Sequence, residues 1–468
     1  MDYETIFLNY EWKAGMAVDR DLTRGPVMKT MLLFAVPMIL GDLLQQCYNV
    51  ADTLIVGRFL GADALAAVGS AFTLMTFLTS ILLGLSLGSG AVFSICFGQR
   101  DMGRLREGIR ASFALLAAVT AILCALVYGF SEQILDFMRV TGTVRDLMRE
   151  YLLVIFAGLP AIFLYNYYAA LLRSVGDSAS PLIFLAVSAV MNIGLDLWFV
   201  AGLERGVAGA AEATVISQYV SGVGILLYAH KKRPDLRAKG ARVRLSRMKE
   251  IASFSSLTCI QQSIMNLGIL MVQGLVNSFG TTVMAAFAAA VKIDAFAYLP
   301  VQDFGNAVST FIAQNYGAGN EERMRAGLRG AVKVSVGFSL LVSALIWLFG
   351  ANLMGLFIDA GEVSVTAIVA EGVRYLRIEG TFYFAIGCLF LFYGLYRAMG
   401  RPGMSVVLTV ISLGARVALA YALSAIPALG VVGIWWSVPI GWFLADAAGL
   451  FYYLSHKKQL YALPKRAG

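Results

Sequence analysis

The sequence predicts an all-α integral membrane protein, with about twelve transmembrane helices in two six-helix lobes that repeat in parallel. Three observations carry this expectation. Of 468 residues, 59% are hydrophobic and 14% charged, against about 25% charged in a soluble domain. Apolar runs of about 20 residues, long enough for a helix to cross the hydrocarbon core, alternate with short polar loops. The second half of the chain also copies motifs of the first, at an offset of about 220 residues.

The runs place spans near 29–52, 62–97, 108–130, 150–172, 181–202, 208–229, 250–277, 282–315, 327–349, 372–398, 403–425 and 430–455. The first carries Pro37, which removes a backbone hydrogen bond and should bend its helix, making it a candidate hinge. The second and eighth are too long for a perpendicular crossing. They are expected to tilt, or to break at Gly84, Gly88 and Gly90 in one and at Pro300 and Gly305 in the other. Residues 1–27 mix polar and aromatic side chains with Glu4, Glu11, Asp19 and Asp21, unlike a signal peptide. The expected organisation is an N-terminal segment 1–27, an N-lobe 28–229, a basic linker 230–249, a C-lobe 250–456 and a tail 457–468.

Charge sets the expected orientation. One set of loops holds Arg100, Arg104, Arg106, Arg110, Arg173, the dense run from Lys231 to Lys249, Arg323, Arg325, Arg397, Arg401, Lys457 and Lys458. The other holds only Arg58, Arg139, Arg145, Arg149 and Arg205. Basic loops stay cytoplasmic, so both termini and the linker are expected there. The net charge of +8 then faces an anionic leaflet, and the bilayer is the expected partner. No nucleic-acid motif or basic soluble domain accompanies it, so nucleic acid is not expected as a partner.

The repeat is specific. FGQRDMGRLREGIRA, from Phe97, aligns with YGAGNEERMRAGLRG, from Tyr316. LRSVGDSASP, around Arg173 and Gly176, aligns with YRAMGRPGMS, around Arg397 and Gly400. An even number of spans per repeat makes both halves enter from the same side, and a substrate path between such halves is the usual consequence.

Catalytic chemistry is not indicated. Cys47, Cys96, Cys124, Cys259 and Cys388 lie in apolar segments with no CxxC pair, and read as small buried residues. His230 and His456 sit beside basic loop residues, and no HExxH, GxSxG or DDxxD pattern occurs. An enzyme is therefore not expected. The informative polar residues are Asn192 and Asp196, inside the apolar run PLIFLAVSAVMNIGLDLWFVAGL. A carboxyl at membrane depth costs at least roughly 2.5 kcal/mol, so it marks a functional site by default. The i, i+4 spacing puts both side chains on one helix face, where they can share one cation or proton.

Several motifs resemble the multidrug and toxic compound extrusion (MATE) transporters. They are LLFAVPMILGDLLQQCYNVADTLIVGRFLGADALAAVG, LRSVGDSASP, GVAGAAEATVISQ and AQNYGAGN, and the similarity runs from about residue 22 to about 455. The resemblance implies two six-helix lobes forming a V, and a monomer in a bacterial or archaeal plasma membrane. It also implies export of cationic or amphipathic compounds against inward flow of protons or sodium ions, with no other cofactor. Some members carry a cation site in the N-lobe, and its positions match Asp52, Asn192, Asp196 and Thr214, a possible Na⁺ site. Other members use an acidic residue on the seventh helix. Here the seventh span has none after Glu250 at its inner edge, which favours the N-lobe. Depth agrees: Asp196 lies about 22 Å from the inner end of its helix and Thr214 about 10 Å below the outer end. Two close carboxylates in a low-dielectric cavity resist joint ionisation, and a proton or a sodium ion held by oxygen ligands relieves this.

The chain departs from the family pattern at Asp42 and Glu212, and Glu212 points about 200° around the helix from Thr214. The repeat sets Arg416 opposite Asn192, so the C-lobe has no copy of the N-lobe site. Lys292, Asp294, Asp303, Glu379 and Arg416 lie in or near its spans. They form internal ion pairs or, for Asp303 and Glu379 first, contact substrate. Gln45, Tyr48, Tyr165, Asn166 and Tyr168 are candidates to line the N-lobe cavity. The alternative function is a flippase for lipid-linked or polyanionic precursors, which would require more cavity-facing Arg and Lys.

Overall fold

The computed structural model describes residues 21–138, 140–237, 243–357 and 365–462. The terminal segment 1–20, linker residues 238–242 and tail residues 463–468 lie outside the described residues. Every regular element among the described residues is helical. The long helices are α1 (Val27–Leu60), α2 (Ala62–Gly98), α3 (Met102–Gly129), a short α4 (Ser131–Phe137), α5 (Gly142–Ile155), α6 (Leu159–Ser174), α7 (Ala179–Asp196) and α8 (Gly206–Lys232). The second half follows with α9 (Leu245–Asn277), α10 (Thr281–Gly317), α11 (Glu321–Gly355), α12 (Val365–Thr381), α13 (Tyr383–Ala398), α14 (Pro402–Ser424) and α15 (Val431–Leu460). Among the described residues eleven helical stretches are long and apolar enough to cross a membrane, and twelve when α12 and α13 count as one bent span.

Local chemistry sets the boundaries. Asp101 caps α3 by accepting the Arg104 amide at 2.9 Å. Asp177 accepts the Ser180 amide at 2.9 Å and its hydroxyl at 2.6 Å at the start of α7. Gly61 and Gly280 both take positive φ, 85° and 95°, immediately before α2 and α10. A side chain there would be strained, and the pair recurs at the offset of the sequence repeat.

The structure decides between tilt and break. α2 and α10 run through Gly84, Gly88, Gly90, Pro300 and Gly305 as single helices of 37 residues each. At 1.5 Å per residue they are about 55 Å long, well beyond a hydrocarbon core of about 30 Å. The break falls instead between α12 and α13, which meet at 52°. There Thr381 turns its hydroxyl back onto the Arg377 carbonyl at 2.6 Å, an i−4 bond that bends helices. The fourth predicted span is also interrupted, by a 3₁₀ turn at Phe156–Gly158 between α5 and α6.

The chain divides into two compact units. One comprises Val36–Cys259 with the segment ending at Arg24, and the other Gly25–Ala35 with Ile260 onward. In the first, α2 packs on α6, α6 on α8 and α7 on α8. In the second, α10 packs on α13 and α14 on α15, the same pairings at the repeat offset. Within the first unit, Gly84 and Gly88 bring α2 onto the backbone of α9. A Cβ on Gly84 would lie 2.5 Å from Cys259 Cα, and one on Gly88 2.6 Å from the Phe254 carbonyl oxygen. Small residues allow such approach where lipid gives helices no hydrophobic reason to associate. The Ser89 and Ser255 hydroxyls add a hydrogen bond of 2.9 Å across the same crossing.

Candidate functional site

The first unit contains a carboxyl pair, Asp196 buried and Asp52 half-buried. Asp52 lies on α1, one turn after Tyr48. Asp196 is the last residue of α7 and is followed by a π-helical turn, Leu197–Gly202. Such widened turns recur at functional sites. The Asp52 and Asp196 carboxyls come within hydrogen-bonding reach of each other. Asn192, one turn before Asp196, donates its side-chain amide to the Thr214 hydroxyl of α8 at 3.2 Å. Asp196 is 0% and Asn192 2% exposed.

The electrostatics follow from what is missing around these atoms. Asp52 Oδ1, both Asp196 carboxylate oxygens and Asn192 Oδ1 are buried with no hydrogen-bond partner among the described residues. A buried carboxylate without a donor is costly, and two of them face to face repel. A proton or a cation between them would relieve both costs. The donor set consists of oxygens only, which suits a proton or a hard cation. No group of three or more His, Cys, Asp or Glu able to hold a metal occurs among the described residues.

The other sequence candidates are placed as follows. Tyr48 lies within electrostatic range of Asp52 and Tyr165. Gln45 is half-buried on α1, one turn before Tyr48. Tyr165 donates to the Pro181 carbonyl at 3.2 Å, linking α6 to the start of α7. Asn166 donates to Ile162 within its own helix at 2.9 Å. Tyr168 does not join this set: it lines a separate cavity with Arg110 and His230. Pro37 lies inside α1 and does not end it. Glu212 is paired with Arg205 at 2.7 Å, away from Thr214.

One residue near the pair was not anticipated. Tyr151 of α5 is buried within electrostatic range of Asp52, Asp196 and Tyr48. The repeat offset that pairs Arg173 with Arg397 also pairs Tyr151 with Tyr375, and that match was the signal available in the sequence.

The second unit holds a different cluster. Asp294 of α10 and Glu379 of α12 lie within hydrogen-bonding reach of each other. The Tyr383 hydroxyl donates to Asp294 Oδ1 at 2.6 Å. Tyr375 contacts both carboxyls, and Arg416 of α14 is within electrostatic range of both. Glu379 is 1% exposed, so in this conformation it meets Asp294 and no solute. Asp303 is buried nine residues after Asp294 on α10, half a turn around the helix from it.

Comparison with known proteins places this architecture. The sequence profile of the MatE family matches residues 37–198 and 258–422, one segment in each unit. The chain belongs to the MatE family. The probable multidrug resistance protein YpnP of Bacillus subtilis is 31% identical to this MATE-family chain over 440 residues, covering 92% of the chain and 96% of that protein. The multidrug export protein MepA of Staphylococcus aureus is 25% identical over 441 residues, covering 92% and 94%. A solved MATE structure in a bent conformation, 24% identical, shares the fold with a TM-score of 0.88 over 95% of the chain and 98% of its own length. The MATE-family chain is thus a multi-pass membrane transporter of the multidrug efflux type, handling small molecules, and not an enzyme.

Proposed function

We propose that the chain is an antiporter that exports organic cations or amphipathic drugs by alternating access, driven by inward flow of protons or sodium ions. The observation that supports this reading is the Asp52–Asp196 pair, close together on α1 and α7 with buried, unsatisfied carboxyl oxygens. Asp52, Asn192, Asp196 and Thr214 hold the coupling cation in turn with substrate release. Gln45, Tyr48, Tyr165 and Asn166 line the substrate path of the N-lobe, with Asp303 and Glu379 as C-lobe contacts in another conformation. Both termini face the cytoplasm, and the transporter works as a monomer in the plasma membrane.

The physical logic is exchange of charge. With the pair unprotonated and ion-free, burial of two carboxylates disfavours closure around them. Cation binding removes that penalty. It shifts the conformational equilibrium only by its differential affinity for the two states. The geometry around Asp52 must therefore differ between them.

The test is drug efflux from proteoliposomes with pH and sodium gradients imposed separately. One gradient is expected to drive efflux, and Asp52→Asn or Asp196→Asn to reduce it to the leak rate while the protein still inserts. Wild-type efflux rates in both variants would remove the pair from the mechanism.

A further inference from the structure

The bend between α12 and α13 gathers four aromatic rings in the second unit. Phe382 sits at the bend and Phe384 just after it, while α15 contributes Trp436 and Phe443, two turns apart on one face. The Phe382 ring lies 5.7 Å from Trp436 and 5.6 Å from Phe443, and Phe384 lies 5.9 Å from Phe443, centroid to centroid. These rings are not a closed core: Trp436 is 40% and Phe443 41% exposed. An open face of aromatic rings attracts a cation laid over it.

A carboxyl stands next to this face. Asp446 follows Phe443 by three residues on α15, so the two are neighbours on the helix surface. It lies within electrostatic range of Cys388, one turn after Phe384 on α13, and of Tyr393. Neither of these is a cation. Asp446 Oδ1 is buried with no hydrogen-bond partner, and Asp446 forms no ion pair among the described residues. Arg416, on the adjacent α14, acts on Asp294 and Glu379 instead. The α15 helix is long and apolar enough to cross a membrane, and Asp446 comes about 22 Å along it. A carboxyl at such depth is costly and marks a functional site by default.

The surroundings select the partner of that charge. A hard metal ion needs several oxygen ligands, and one carboxylate beside a thiol supplies too few. A single positive charge carried on an apolar body fits both parts of the site, the carboxylate and the rings. We propose that this α13–α15 face is a binding subsite for a singly charged lipophilic organic cation, with its charge beside Asp446 and its apolar groups over Phe382, Phe384, Trp436 and Phe443. The assignment rests on the reading of the chain as an exporter of organic cations, and it gives that cargo a foothold in the second unit that does not involve Asp294 or Glu379.

The test uses the full-length transporter in detergent with no gradient imposed, so its failure is separate from a failure of ion-driven efflux. A photoreactive triphenylphosphonium is cross-linked and the labelled peptides are mapped. Label is expected on α13 and α15 around Phe384 and Phe443, displaced by tetraphenylphosphonium and not by tetraphenylborate, an anion of the same shape. Asp446→Asn should weaken this labelling about tenfold, between the effects of an exposed and a buried charge pair. Phe443→Leu keeps apolar bulk, removes one ring and should weaken it about fivefold. Labelling of this face unchanged in Asp446→Asn would overturn the proposal. So would absence of label from both helices, or equal displacement by tetraphenylborate.

Discussion

The Asn192 amide and the Thr214 hydroxyl meet at 3.2 Å, and this bond ties the helix that carries Asp196 to its neighbour α8. In the proposed cation site, Asn192 Oδ1 and the Thr214 oxygen would serve as neutral ligands. Thr214→Val keeps the shape and removes the hydroxyl. An interhelical hydrogen bond in a membrane averages about 0.6 kcal/mol. The coupling-ion concentration at half-maximal efflux is therefore expected to rise about threefold. An unchanged concentration dependence in proteoliposomes would place Thr214 outside the site.

Arg416 gives the second unit a built-in cation. Arg416→Gln leaves Asp294 and Glu379 buried without it, so the folded state gains from binding protons. A state that binds more protons when folded loses stability as pH rises. The variant's melting temperature should increase as pH falls below neutrality, more steeply than that of the wild type. Tyr383→Phe removes the 2.6 Å bond to Asp294 and should lower the melting temperature by a smaller, separate step. Parallel pH profiles for wild type and Arg416→Gln would show that the cluster does not depend on that charge.

Gly88 and Gly337 offer a matched comparison. Both are helical, but a Cβ at Gly88 would strike the Phe254 carbonyl oxygen at 2.6 Å, whereas one at Gly337 meets nothing within 4 Å. Gly88→Ala must push α2 and α9 apart, and a loss of about 1–3 kcal/mol is expected, as for overpacking. Gly337→Ala should gain up to about 1 kcal/mol from helix propensity alone. Thermal unfolding in detergent reads both, and a neutral Gly88→Ala would mean the crossing is looser than its geometry.

Pro37 lies about four turns before Asp52 on α1, where the missing amide makes bending cheaper than elsewhere. If cation binding at Asp52 and Asp196 selects among bends, spin labels near residues 40 and 200 should report a distance change across pH or sodium titrations. Pro37→Ala should shrink that change and slow efflux together. Full activity with a distance distribution that ignores both ions would exclude this helix as the coupling element.

Much of the fold was legible because membrane solvation is a coarse rule. Twenty apolar residues must become a helix, and the positions of α7, α8 and α14 follow from that alone. The i, i+4 spacing likewise shows that Asn192 and Asp196 share a face. It does not show which helices meet that face, so Asp52 and Thr214 entered through family resemblance and a depth argument. The same gap hid Tyr151, which reaches the pair from α5, and left Glu379 without its partner Asp294, because partners on different helices have no common period. The 52° bend at Thr381 was missed for a local reason. A threonine hydroxyl that folds back on its own helix reads in sequence like any other polar residue in a span.

The contact of Gly84 and Gly88 with the α9 backbone has a consequence for energy conservation. Any protein that spends an ion gradient must also insulate it, because a single file of water through the bundle would short-circuit the membrane. Where two helices touch backbone to backbone, with only hydrogen atoms between them, no such file fits. Under the proposed ion coupling, that crossing would act as a dielectric seal. A bulkier residue there would spoil it by opening a gap, and would do so without touching a single ligand of the carboxyl pair.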